Sequence, residues 1–158
     1  MARKSTWSNS DGLVVGFGPN TPERNAQTTE DDTNGVKTAV IRFDFTQVNT
    51  AASGSVNWAA PAGSNVVAVE LVVDQAWVGG TTLEFGDASD TDGFITTTQG
   101  ATANLTAGAK IVGNGLYTKG ATDTGAQEFK AYASATTCSV LRVGTYTAGS
   151  AVLKISYI

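Results

Sequence analysis

The run Val66-Val67-Ala68-Val69-Glu70-Leu71-Val72-Val73-Asp74-Gln75-Ala76-Trp77 decides the fold. Its alternation puts Val67, Val69, Leu71, Val73 and Trp77 on one side of an extended chain and Glu70 and Asp74 on the other. That period of two marks a strand with one buried and one wet face. Val36 to Phe45 repeats the device, Ile41, Phe43 and Phe45 alternating with Arg42 and Asp44. Val140 to Tyr146 and Ala151 to Ile158 read as two more strands, with Thr147-Ala148-Gly149-Ser150 as a hairpin-length loop between them. Ala151, Leu153, Ile155 and Tyr157 share a face of the second, which is expected to be paired in a sheet.

Weaker strand runs are Thr82-Leu83-Glu84-Phe85, Phe94-Ile95-Thr96, Ala109-Lys110-Ile111-Val112 and Gly115-Leu116-Tyr117. Asn114-Gly115 and Gly79-Gly80 supply turns. No segment carries a 3.6-residue period, and Ala126 to Ala135, the least strand-like stretch, reads as a loop or short helical turn. About eight to ten strands of roughly five to six residues predict an all-β fold, an antiparallel β-sandwich or jelly-roll-like single domain.

Residues 1–35 differ from this body, being polar, with Pro19, Pro22 and the acidic Glu30-Asp31-Asp32. They read as an extended N-terminal arm with long loops, followed by a β-sandwich body over residues 36–158. Leu13-Val14-Val15-Gly16-Phe17 is the arm's apolar run, long enough for a short strand. Trp7 stands among polar neighbours and reads as an anchor for a partner or neighbouring subunit. The candidate partner-binding residues are therefore Arg3, Lys4, Trp7, Leu13, Val15 and Phe17.

Composition narrows the chemistry. The 158 residues suit one domain able to bury about 68–70 % of its unfolded surface, so neither disulfide nor metal is required for stability. Ten Lys and Arg against 14 Asp and Glu give a net charge of −4, and the cations are scattered singly, so nucleic acid is not an expected partner. Neither a signal-peptide apolar stretch nor a run approaching the roughly 18 apolar residues of a membrane helix is present, and no membrane partner is expected. With no histidine, the Ser-His-Asp and Cys-His arrangements of nucleophilic catalysis have no base. The single cysteine, Cys138, lies in an apolar run and reads as a small core residue. No enzymatic activity, catalytic residue or cofactor is expected.

Gly86-Asp87-Ala88-Ser89-Asp90-Thr91-Asp92-Gly93-Phe94 looks like a calcium loop until its register is counted. With Asp90, Asp92 and Gly93 at loop positions three, five and six, position one is Ala88 and position twelve Gln99, so two carboxylates are missing. Asp87, Asp90 and Asp92 read instead as side chains capping a turn, with no metal expected. Glu70 and Asp74 lie four residues apart on one strand, roughly 13 Å, beyond the 5–9.5 Å separation used by glycosidases. They read as a solvated face. Trp7, Trp58 and Trp77, with Tyr117, Tyr132, Tyr146 and Tyr157, could stack on a sugar, although Trp77 continues a buried face and such rings usually close a core.

Three stretches carry a family resemblance: Met1 to Gly18 (MARKSTWSNSDGLVVGFG), Leu83 to Phe94 (LEFGDASDTDGF) and Gly144 to Val152 (GTYTAGSAV). They resemble small structural proteins of tailed bacteriophages, above all the capsid decoration, or cement, proteins of marine and cyanobacterial phages. The resemblance implies a non-enzymatic virion protein, made in the host cytoplasm, that binds the capsid exterior through the major capsid protein, often as a homotrimer. It supplies no signature site. The alternative is a carbohydrate- or receptor-binding β-sandwich module on the virion, with Trp58 or the tyrosines as stacking platforms.

Overall fold

The computed structural model describes residues 5–8, 14–17, 31–33, 35–50, 54–119 and 130–158. Among them are eleven strands: β1 (Ser5–Ser8), β2 (Val14–Phe17), β3 (Asp31–Thr33), β4 (Val36–Asp44), β5 (Val56–Ala60), β6 (Asn65–Gly79), β7 (Thr82–Asp87), β8 (Lys110–Val112), β9 (Lys130–Ala131), β10 (Thr136–Val143) and β11 (Tyr146–Tyr157). Two short helices, α1 (Phe45–Thr50) and α2 (Leu116–Lys119), complete the list with a 3-10 turn at Thr102–Asn104.

The body is an antiparallel β-sandwich. One sheet runs β3-β4-β11-β6-β8, with β9 also pairing β6, and the other runs β5-β10-β7. β1 and β2 pair with each other in a separate two-stranded sheet. The backbone of Asp31–Thr33 pairs with β4, so the end of the 1–35 segment lies at the margin of the large sheet.

β11 holds the large sheet together, pairing β4 over Ser150–Tyr157 and β6 over Tyr146–Tyr157. Its inward residues Ala151, Leu153, Ile155 and Tyr157 are buried, and they meet Ala39, Ile41 and Phe43 of β4 and Val69, Leu71 and Val73 of β6 in one core. Trp58, Phe85, Cys138 and Val140 close it from the small sheet. Trp77 packs edge-on against Tyr146 at 5.0 Å and tilted against Phe43 at 5.8 Å.

Several sequence expectations are corrected here. The inward residue at the start of β6 is Val66, not Val67, because a bulge between the Ser156 and Tyr157 pairings inserts one residue and reverses the alternation. The Thr147–Ser150 stretch is not a hairpin loop but the bulged first half of β11. β10 and β11 lie in different sheets, and the chain turns between them at Gly144. Gly149 is required inside that strand: its φ is 135°, and a Cβ there would lie 2.3 Å from the Trp77 ring.

Phe45 does not continue β4 but starts α1. Asp44 caps that helix, its Oδ1 accepting from the Thr46 and Gln47 amides at 2.9 and 3.2 Å, while Gln47 Oε1 accepts the Asp44 amide at 3.0 Å. This is a reciprocal capping box built on Asp and Gln. Gly115-Leu116-Tyr117 opens α2 rather than a strand, and Phe94-Ile95-Thr96 contributes only an isolated bridge from Ile95 to Phe85. In the stretch Ala126–Ala135, Lys130–Ala131 is strand; residues 126–129 lie outside the described residues.

Leu153 is fully buried at the centre of β11. Leu153→Ala is expected to destabilise the protein by about 2–5 kcal/mol. A urea titration followed by tryptophan fluorescence checks this; an unchanged midpoint would remove β11 from the centre of the core.

Candidate functional site

The densest group of chemically capable side chains lies at one end of the sandwich, around Asp87 at the close of β7. Asp87 is 5 % exposed. Its Oδ1 accepts from the Tyr117 hydroxyl at 2.8 Å and from the amides of Ser89 and Asp90 at 2.8 and 3.1 Å. Its Oδ2 accepts from the Tyr132 hydroxyl at 3.1 Å and faces Lys130 Nζ at 3.6 Å. Lys130 also sits 3.9 Å above the centre of the Tyr117 ring, a cation–π contact.

Local sequence builds the turn that aims this carboxylate. Asp87 and Asp90 exchange backbone hydrogen bonds, and Gly86 lets the loop fold so tightly that a Cβ there would fall 2.1 Å from the Asp90 carbonyl oxygen. α2 brings in Tyr117, whose ring stands edge-on to Phe94 at 5.1 Å. β9 brings Lys130, with Tyr132 following it, and β10 brings Cys138, whose Sγ lies 3.3 Å from the Tyr132 hydroxyl oxygen. The Tyr132 proton is given to the carboxylate, the stronger acceptor, so the Cys138 thiol donates to Tyr132.

Electrostatics follow from this geometry. Burial works to raise the Asp87 pKa, but the Tyr117 hydrogen bond, the two amides and Tyr132 outweigh it and hold the carboxyl below its ordinary range. Burial and the neighbouring carboxylate push Tyr117 well above a normal phenol. Tyr132 rises further, through burial and its contact with Cys138. Burial pushes the Cys138 thiol up to about 11, so it is protonated at neutral pH. Asp90 is raised, first by burial and then by Asp92.

The arrangement therefore stores charge rather than moving it. The acid is saturated with donors, and the thiol is fully buried and neutral. What it accomplishes is mechanical: Asp87 joins its own loop to Tyr117 on one side of residues 120–129 in sequence and to Lys130 and Tyr132 on the other. Among the described residues no group of three or more His, Cys, Asp or Glu is disposed to hold a metal. Asp92 Oδ2 accepts from the amide and hydroxyl of Thr97, each at 3.3 Å, consistent with a turn-capping role.

Other candidates are placed as follows. Glu70 pairs with Lys110 at 2.6 Å and Asp74 faces Arg42 at 3.9 Å, both outward on the large sheet. Trp58, Trp77, Tyr117, Tyr132, Tyr146 and Tyr157 are all buried, which takes away the stacking platforms named for sugar binding. An open cleft of about 410 Å³ lies between β4, α1 and β5, lined by Ile41, Arg42, Gln47, Thr50, Ser55, Val56 and Asn57. It holds one cation and no carboxylate.

Of the arm residues, Arg3, Lys4 and Leu13 lie outside the described residues. Trp7 falls in β1 and Val15 and Phe17 in β2. The register sets Trp7 opposite Val15 and Ser5 opposite Phe17. These four positions therefore share one side of the ribbon, and three of them are apolar.

No family model matches the chain, and neither does any curated protein. Among solved structures the chain is similar to one in the cyanophage Pam1 capsid asymmetric unit, at 19 % identity and a TM-score of 0.48, over 88 % of this chain and 97 % of that one.

Two measurements check the pinning role. A carboxyl held below its unfolded pKa of about 3.9 stabilises the fold above that pH, and the contribution drains away as pH falls through the folded value. Wild type should accordingly lose stability below about pH 4, and Asp87→Asn should be less stable at pH 7 with a flatter acid limb in denaturant titrations. Cys138 should resist thiol reagents at pH 8 until the protein unfolds; rapid native-state labelling would contradict its burial.

Proposed function

We propose that the chain is a non-enzymatic structural protein of a tailed-phage virion, which binds the outer surface of the capsid through the major capsid protein and stabilises the shell as a homotrimer. The observation that carries this reading is the β1–β2 ribbon, whose register gathers Trp7, Val15 and Phe17 on one side while its backbone pairs only with itself. An isolated two-stranded ribbon is marginally stable in water and gains stability when its apolar side is covered. A protein that works by adhesion makes use of such an element; Trp7 is the type of residue that anchors an interface.

The body supports the same reading. Its best acid is committed to holding loops, and its aromatic rings are spent on the core. The sequence resemblance to capsid decoration proteins agrees with it. Each arm then needs only modest affinity, since several copies held together on a lattice raise one another's effective concentration.

Removal of residues 1–20 should abolish binding to expanded shells while leaving the far-ultraviolet circular dichroism and thermal midpoint of the body close to wild type. Co-sedimentation of full-length and truncated protein with shells measures this. Equal shell occupancy by the truncated protein would overturn the reading.

A further inference from the structure

The strand registers assemble an apolar band on the outward side of the large sheet. Arg42, Val152, Val72 and Lys110 stand in one row across β4, β11, β6 and β8, and Val40, Lys154, Glu70 and Val112 stand in the next. Val40, Val152, Val72 and Val112 therefore adjoin one another across four strands, a span of about 14 Å. Val152 is 5 % exposed although it lies outside the inward core cluster, and Val112 at the far end is 56 % exposed. Outward positions of a solvated antiparallel sheet are ordinarily polar, so a continuous valine band there is a surface awaiting cover.

The charges around the band define what covers it. Arg42 is paired with Asp74, and Lys110 with Glu70. Lys154 stands opposite Glu70 in the register, but that carboxylate is already engaged by Lys110, and among the described residues no ion pair reaches Lys154. Lys154 instead lines a depression of about 230 Å³ with Thr38, Ala68, Glu70 and Ser156, whose small side chains leave its floor open. Covering an ammonium without a counter-charge is costly. A second copy of this face would bring another open ammonium and no open carboxylate, so self-pairing fails on charge.

We propose that this face is a second docking surface, taken by a shell-protein surface that lays an apolar ridge on the valine band and sets a carboxylate against Lys154. The inference rests on the capsid-binding reading above and names a contact separate from the arm. Four strands by three outward residues cover on the order of 300 Å², well below the roughly 800 Å² per partner of a standard stable interface. The face acts with the arm, each raising the effective concentration of the other.

The test is co-sedimentation of the full-length chain with purified shells of the phage that encodes it, stripped of the chain. Lys154→Glu should weaken binding about tenfold and the Val112→Glu, Lys154→Glu double variant about a hundredfold, while Lys154→Arg stays within about twofold. Val143→Glu, which alters an equally exposed valine on the other sheet, should leave binding unchanged. Lys154→Gln removes the charge alone and should reproduce the loss if a glutamate variant misfolds. Full binding by the folded double variant alongside binding wild type would overturn this inference and leave the arm reading standing. Failure of wild type to sediment would overturn the capsid reading and this inference together. A fall in the light-scattering mass of the double variant would show the face joining copies of the chain, and would overturn the proposal too.

Discussion

Burial of the inward row of β11, Ala151, Leu153, Ile155 and Tyr157, is the interaction on which the rest of the molecule depends. This strand is hydrogen-bonded on both sides, to β4 and to β6, so it fixes the register of the large sheet and thereby which residues of its neighbours face the core. The outward row is fixed by the same pairing. Val152 comes to lie between Arg42 and Val72, and Lys154 between Val40 and Glu70, only because Leu153 and Ile155 are held inward. Fold and adhesive surface are two sides of one strand.

Asp87 performs a second, local organising task. A short turn, two phenols and an ammonium converge on one carboxylate and draw together chain segments that no sheet pairing joins. Its chemistry resembles that of an active site in residue type alone. A carboxylate that accepts from two tyrosines and two amides, beside a thiol kept protonated by burial, is stable rather than reactive. Stiff loops at one end of the sandwich suit a protein whose work is contact.

Much of the architecture was legible in the sequence where a local pattern controlled it. Val69, Leu71 and Val73 alternate with Glu70 and Asp74 because one face of β6 is dry, and Leu153 and Ile155 do likewise. The pattern breaks where long-range geometry overrides it. The bulge that turns Val66 inward answers to Tyr157 on another strand, and Gly149, which looks like a loop residue, is the slot that admits the Trp77 ring. α1 did carry a local signal, the Asp44 and Gln47 capping pair, hidden because Asp44 also fits the wet face of β4. The partners of Asp87 come from 30 and 45 residues away, a separation over which spacing conveys nothing. The outward valine band was equally hidden, since Val40, Val72, Val112 and Val152 become neighbours only when four registers are known.

The central claim is that the chain works by adhesion, through residues before Val36 and through the outward side of the large sheet. A cryo-electron microscopy reconstruction of shells bearing the chain tests it most directly. The account predicts that side, with Lys154 near a shell carboxylate, against the shell and the N-terminal residues reaching across it. Contact through the face of the β5-β10-β7 sheet, or shells that carry none of the chain, would contradict it.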